Sequence, residues 1–86
     1  MITFNYVIKD PVGIHARPAG LLVNAAKEFE SAITIEKQGK KPADLKRLFQ
    51  VMALGIKNGE EVILTFTGAD EEEAYKKVSE LLKTNL

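Results

Sequence analysis

The chain contains no cysteine and only one histidine. Without cysteine it can form neither a disulfide framework nor a thiolate metal site, which favours a cytoplasmic location. A lone histidine without a nearby carboxylate pair is also a poor set of metal ligands. We therefore predict a cytoplasmic protein that uses no metal and no other cofactor.

The chain also lacks an excess of charge and a long apolar segment. Twelve basic residues balance twelve acidic ones, so the cationic field typical of nucleic-acid-binding proteins is missing. No stretch approaches the roughly 18 apolar residues of a membrane helix, and the N-terminal residues show no signal-peptide pattern. We expect no nucleic-acid partner and no membrane insertion.

The 86 residues, 45% of them hydrophobic, are predicted to form a single domain over 1–86. A chain of this length supports one layered core, with no room for a separate catalytic domain. Alternating apolar residues predict strands at 2–8, around Ile33–Ile35 and at Glu61–Thr67. A short strand around 40–43 is restricted by Pro42 to an edge or an end of the sheet.

Apolar residues at helical spacing predict helices at about 16–28, from Asp44 to about Leu54, and at about 71–83. The order is therefore β-α-β-β-α-β-α. Because alternating strands need one covered face, we expect an α+β fold in which three helices cover one side of a four-stranded antiparallel sheet.

Turn and cap residues separate these elements. Asp10-Pro11-Val12-Gly13 is typical of a type I turn, with Asp first, Pro second and Gly fourth. Asp44 is predicted to cap the middle helix, and Gly55 to end it. Asp70 and Glu73 have the spacing of a capping box at the start of the last helix.

The single histidine, His15, lies between the turn residue Gly13 and the first turn of the first helix. Neutral imidazole is a nitrogen nucleophile, and the N–H groups at a helix start, here the Ala16–Pro18 region, form an anion site. Arg17 adds a fork that can hold phosphate oxygens. Each feature alone has an ordinary explanation, as a capping histidine, a solvated arginine or a turn glycine. Together they predict that His15 is phosphorylated and that Arg17 stabilises the phosphate.

The segment Gly13-Ile14-His15-Ala16-Arg17-Pro18-Ala19 resembles the active-site signature of HPr, the histidine-containing phosphocarrier family of the bacterial sugar phosphotransferase system. Further similarities follow in the same order at Gly39-Lys40, Leu45-Lys46, Val51–Gly55 and Gly68–Glu71. The resemblance implies an open-faced β-sandwich and phosphorylation of His15 on Nδ1 by enzyme I, which phosphoenolpyruvate charges. It also implies that the phosphoryl group is then transferred to a sugar-specific IIA domain. The chain would thus be a carrier with a phosphohistidine intermediate and not a free-standing enzyme.

The middle helix has apolar residues on nearly all sides. They are Leu45, Leu48, Phe49, Val51, Met52 and Leu54. A short helix above a sheet buries only one stripe, so one interpretation is that Leu48, Phe49 and Met52 are exposed for partners; the other is that all six lie in the core. The resemblance favours an interface, in which Ala19 and Gly20 also take part.

One position departs from the family pattern. HPr proteins of low-GC Gram-positive bacteria carry a regulatory serine directly after the Leu-Lys pair, whereas here Arg47 follows Leu45-Lys46. A guanidinium has no hydroxyl that a kinase can phosphorylate. We therefore predict that the serine-based switch is absent.

The expected partners are enzyme I and IIA domains, with transcriptional regulators as further candidates, and we expect a monomer. A paralogue in a regulatory or nitrogen-related phosphorelay would carry the same motif, because the transfer chemistry is identical. A non-catalytic, ferredoxin-like binding module is an alternative of a different class. That alternative leaves His15, Arg17 and the helix start unexplained.

Overall fold

The computed structural model describes all residues from Met1 to Leu86 and confirms the order of the seven elements. The strands are β1 (Ile2–Val7), β2 (Ala32–Lys37), β3 (Ala43–Asp44) and β4 (Glu61–Thr67), and the helices are α1 (Ala16–Ala26), α2 (Leu48–Ala53) and α3 (Glu71–Asn85). Helix α1 is slightly shorter and α3 slightly longer than predicted. None of the helices has the length and hydrophobicity needed to span a membrane.

The four strands form one antiparallel sheet in the order β1-β4-β2-β3. The central strand β4 pairs with both β1 and β2, so that Phe66 lies opposite Ile2 on one side and Ile33 on the other. Alternate residues of β4, including Leu64 and Phe66, are fully buried, as expected for a strand with one covered face. The sheet and the three helices enclose a single core cluster, which confirms the predicted open-faced β-sandwich.

The third strand lies later in the chain than predicted. The expected strand was around 40–43, but β3 contains only Ala43 and Asp44. Lys40 still belongs to the preceding turn, because its main-chain N–H donates to the carbonyl of Lys37 at 3.1 Å. Pro42 has no N–H to donate to the ladder, so pairing begins only after it.

Helix α2 begins after Arg47, so the prediction that Asp44 caps it is wrong. Arg47 occupies the N-cap position with extended dihedral angles and makes no capping hydrogen bond through its side chain. The carboxylate of Asp44 instead accepts a hydrogen bond from the main-chain N–H of Lys46 at 2.9 Å. At the other end Gly55 follows the helix with φ of +60°, which confirms its predicted position as the terminating glycine.

The predicted capping box of α3 is also wrong. Asp70 precedes the helix, but its side chain makes no capping hydrogen bond. Its carboxylate accepts hydrogen bonds from the main-chain N–H groups of Glu30 and Ser31, both at 2.9 Å, and from the hydroxyl of Ser31. The chain approaches closely here, since a Cβ on Gly68 would lie 2.7 Å from the Cα of Ser31. Asp70 therefore joins the start of α3 to the start of β2.

Candidate functional site

His15 occupies the N-cap position of α1. Its backbone is extended, with φ of −112° and ψ of −174°, and its side chain makes no capping hydrogen bond. The main-chain carbonyl accepts the first helical hydrogen bond, from the N–H of Ala19 at 2.9 Å. The imidazole is 44% exposed and is therefore free to meet a partner.

The loop before His15 is fixed against the segment between α2 and β4. The N–H of Ile14 donates to the carbonyl of Ile56 at 3.0 Å. Gly13 has φ of +85°, and a Cβ at this position would lie 2.6 Å from the Cα of Lys57. A side chain would therefore displace one of the two segments, so glycine is required directly before the Ile14-His15 pair.

The start of α1 leaves two main-chain donors unpaired. Ala19 already donates to His15, and Pro18 has no N–H, whereas the N–H groups of Ala16 and Arg17 have no acceptor within the chain. Pro18 is buried and provides no donor. The predicted contribution of Pro18 to the anion site is therefore limited to shaping the first turn, and Ala16 and Arg17 supply the donors.

The Arg17 side chain lies in solvent and forms no hydrogen bond or ion pair with the rest of the chain. It borders the same surface hollow as His15, with a volume of about 250 Å³. The remaining lining residues are Asp10, Pro18, Leu21 and Asn85. The structure thus brings the predicted nucleophile and the predicted phosphate-binding arginine to one open hollow.

Asp10 is a neighbour of His15 that the sequence reasoning missed, because Asp10 was assigned only to the turn. Its Oδ2 lies 3.8 Å from Nε2 of His15. The predicted turn could have indicated this contact. The first residue of a four-residue turn, here Asp10, lies close in space to the residues that follow the turn, here His15.

The residues predicted to form the partner interface differ in their exposure to solvent. Phe49 is 85% exposed and Met52 39% exposed, so the interpretation that all the apolar residues of the middle helix lie in the core is wrong. Leu48 is half-buried and packs against the core. Ala19 is completely buried, so its side chain cannot contact a partner and we exclude it. Gly20 is half-exposed.

The similarity to known proteins extends over nearly the whole chain. A family model described as "PTS HPr component phosphorylation site" matches residues 2–84. The chain belongs to the HPr family. The phosphocarrier protein HPr of Mycoplasma genitalium is 39% identical over 85 residues, which are 99% of this chain and 97% of that protein.

Solved HPr structures share the fold. A histidine-containing phosphocarrier protein of Mycoplasma superimposes with a TM-score of 0.92 at 36% identity, over 96% of this chain and 93% of that one. An HPr from Thermoanaerobacter tengcongensis gives a TM-score of 0.91 at 39% identity, over 98% and 93% of the two chains. This HPr-family chain is therefore a phosphocarrier of the phosphotransferase system.

Proposed function

We propose that His15 carries the phosphoryl group, taking it on Nδ1 from enzyme I and passing it to a IIA domain in sugar uptake in the cytoplasm. The main support is the open start of α1, where an exposed imidazole that caps nothing stands beside two main-chain N–H groups without acceptors. A capping or structural histidine would instead be buried or hydrogen-bonded. The resemblance to HPr supports Nδ1 as the reacting nitrogen.

The bound phosphoryl group needs positive partners, and the helix start supplies them. The N–H groups of Ala16 and Arg17 point out of the first turn, where the helix dipole favours an anion. The guanidinium of Arg17 is not neutralised by any carboxylate of the chain. It is therefore available to make paired hydrogen bonds to phosphate oxygens.

These groups also favour the transfer step. As the phosphorus atom moves between the donor atom and Nδ1, charge is spread over its three equatorial oxygens. Donors that are already oriented towards those oxygens stabilise the transition state without reorganisation. The same donors also stabilise the transition state of the second transfer, in which a IIA domain removes the phosphoryl group from His15.

Direct transfer between two proteins requires a docking surface near the histidine. Phe49 and Met52, which we call the α2 patch, expose apolar area on a helix that packs against α1. Large exposed apolar side chains are typical anchors of protein interfaces. We infer that enzyme I and IIA domains cover the α2 patch when they reach His15.

The decisive experiment is intact-mass measurement after incubation with enzyme I, Mg²⁺ and phosphoenolpyruvate. The wild type should gain one acid-labile phosphate, because the P–N bond of phosphohistidine hydrolyses in acid, and a IIA domain should then remove it. His15→Ala should gain none while its circular dichroism spectrum and melting temperature stay close to wild type. An undiminished phosphate on His15→Ala would contradict the assignment. Parallel assays with carbohydrate and nitrogen-branch partners separate sugar uptake from a regulatory relay.

A further inference from the structure

Asp10 is the only acidic residue with an oxygen within 4.0 Å of an imidazole nitrogen of His15. The distance from its Oδ2 to Nε2 is 3.8 Å, and both side chains are partly shielded from solvent, with 27% of Asp10 and 44% of His15 exposed. No lysine or arginine pairs with Asp10. The imidazole is therefore the only ionisable side chain that pairs with Asp10.

The carboxylate of Asp10 is held in this place by the backbone. The carbonyl of Asp10 accepts from the N–H of Gly13 at 3.0 Å, and its own N–H donates to the carbonyl of Leu86 at 2.8 Å. In addition, Oδ2 accepts from the N–H of Val12 at 3.1 Å. The oxygen that faces His15 is thus fixed by the turn that leads to His15.

We propose that Asp10 is a positioning residue that accepts a hydrogen bond from Nε2–H of His15 and so keeps the lone pair on Nδ1. A neutral imidazole exists in two tautomers, and the hydrogen bond made by one nitrogen decides which nitrogen carries the proton. A movement of the imidazole by about 1 Å brings Nε2 of His15 to ordinary hydrogen-bond distance from Oδ2 of Asp10. Hydrogen bonds of catalytic groups often tighten in this way only in the reacting complex. This inference rests on the proposed role of His15.

The same carboxylate assists the transfer itself. When Nδ1 attacks, a bond forms between Nδ1 and phosphorus, and the bond from phosphorus to the donor atom of enzyme I breaks with its electron pair left on that donor atom. The proton on Nε2 stays where it is, so positive charge develops in the ring. A carboxylate beside Nε2–H stabilises that charge, as in other histidine–carboxylate pairs.

Asp10→Asn tests the proposal because an asparagine oxygen still accepts from Val12, while the charge is lost. The matched control is Asp44→Asn. Asp44 also accepts from the N–H two residues later, that of Lys46 at 2.9 Å, but it does not pair with His15. Melting temperatures establish that both variants remain folded.

The first measurement is the tautomer of His15, read from its ¹⁵N chemical shifts at about pH 9, where an imidazole is neutral. In the wild type and in Asp44→Asn, Nε2 should be protonated and Nδ1 unprotonated. In Asp10→Asn the two shifts should move towards each other, because a neutral amide oxygen accepts a weaker hydrogen bond from Nε2–H than a carboxylate does, so that both tautomers become populated. Identical shifts in Asp10→Asn and the wild type would overturn the proposal.

The second measurement is the rate of phosphoryl transfer from enzyme I. Asp10→Asn should lower kcat about fivefold, which corresponds to about 1 kcal/mol for one charge pair near 4 Å in water, and should leave KM unchanged. An unchanged kcat would also refute a positioning role. A change in KM alone would refute it as well, because it would show that Asp10 acts in docking. If the wild type takes up no phosphate on His15, the proposed function fails. If it does and Asp10→Asn behaves like the wild type, only the role of Asp10 fails.

Discussion

The carboxylate of Asp70 accepts hydrogen bonds from both the main-chain N–H and the hydroxyl of Ser31, which lies 39 positions earlier in the chain. Its second oxygen accepts from the N–H of Glu30 at 2.9 Å. These hydrogen bonds hold the pKa of Asp70 below its ordinary value of 3.8. The bond from the Ser31 hydroxyl has the largest effect, and the bond from the N–H of Glu30 the next largest. The same bonds join the start of α3 to the two residues directly before β2.

Asp70→Asn is expected to lower the melting temperature by several degrees at about pH 7, because one amide oxygen replaces an acceptor of three hydrogen bonds. A lowered pKa in the folded state means that the stabilisation is complete above the ordinary value of 3.8 and is lost as the pH falls through the lower value. The difference between variant and wild type should therefore shrink towards about pH 2.

The control for this effect is Glu72→Gln, since Glu72 lies in the first turn of the same helix and makes no hydrogen bond or ion pair. Its substitution should change the melting temperature less at every pH. A difference between Asp70→Asn and wild type that does not depend on pH would show that the carboxylate charge is unimportant.

Arg17→Ala is expected to slow phosphoryl transfer roughly a hundredfold, the usual scale for losing one transition-state donor. The melting temperature should hardly change, because the Arg17 side chain forms no hydrogen bond or ion pair with the rest of the chain. Arg17→Lys should restore only part of the rate, because an ammonium cannot make the paired hydrogen bonds of a guanidinium. Single-turnover kinetics with phosphorylated enzyme I measures both variants.

The control for Arg17 is Lys27→Ala, which removes a positive charge at the opposite end of α1. Transfer by Lys27→Ala should remain close to wild type. Equal slowing by both substitutions would indicate a general effect of net charge instead of a phosphate clamp at Arg17.

Phe49 and Val51 offer a matched pair within α2, since Phe49 is 85% exposed and Val51 only 1%. Phe49→Ala should weaken enzyme I binding by about tenfold or more and change the free energy of unfolding by less than about 1 kcal/mol. Val51→Ala should destabilise the fold by about 1–3 kcal/mol because it leaves a cavity. Calorimetric binding and urea denaturation distinguish the two effects, and Met52→Ala should follow Phe49→Ala. Unchanged binding by both exposed-site variants would remove the α2 patch from the interface.

Arg47 should make the chain insensitive to an HPr kinase. Incubation of the wild type with the kinase and ATP should add no stoichiometric phosphate, because a guanidinium offers no hydroxyl. The two serines are Ser31 and Ser79, and with 1% and 6% exposure they are poorly accessible. Arg47→Ser places a hydroxyl at the N-cap of α2 and should allow labelling there, which peptide mass spectrometry would locate. Efficient labelling of the wild type would show that regulation has moved to another residue.

Local sequence patterns were sufficient for most elements. The alternation of Ile33 and Ile35 identified β2, and apolar residues at helical spacing located α1 from about residue 16, because strand and helix periodicities arise within one element. Glycines with a required backbone conformation, such as Gly55 after α2, were equally recognisable.

Short-range polar assignments were less reliable. Asp44 and Asp70 were both predicted to cap helices, yet Asp44 accepts from Lys46 and Asp70 from Ser31. An aspartate carboxylate accepts from whichever N–H group comes close, and the closest donor depends on how the strands and turns are arranged in space.

The sequence was enough to predict the order of the seven elements and the place of His15 at the start of α1, beside Arg17. Tertiary structure alone decided the strand order, the exposure of Phe49, the burial of Ala19 and the approach of Asp10 to His15. The physical reason is the range of the interactions involved. Periodicity, turn preference and the unpaired N–H groups of a helix start act over a few neighbouring residues, whereas burial and polar pairing depend on which distant segments pack together.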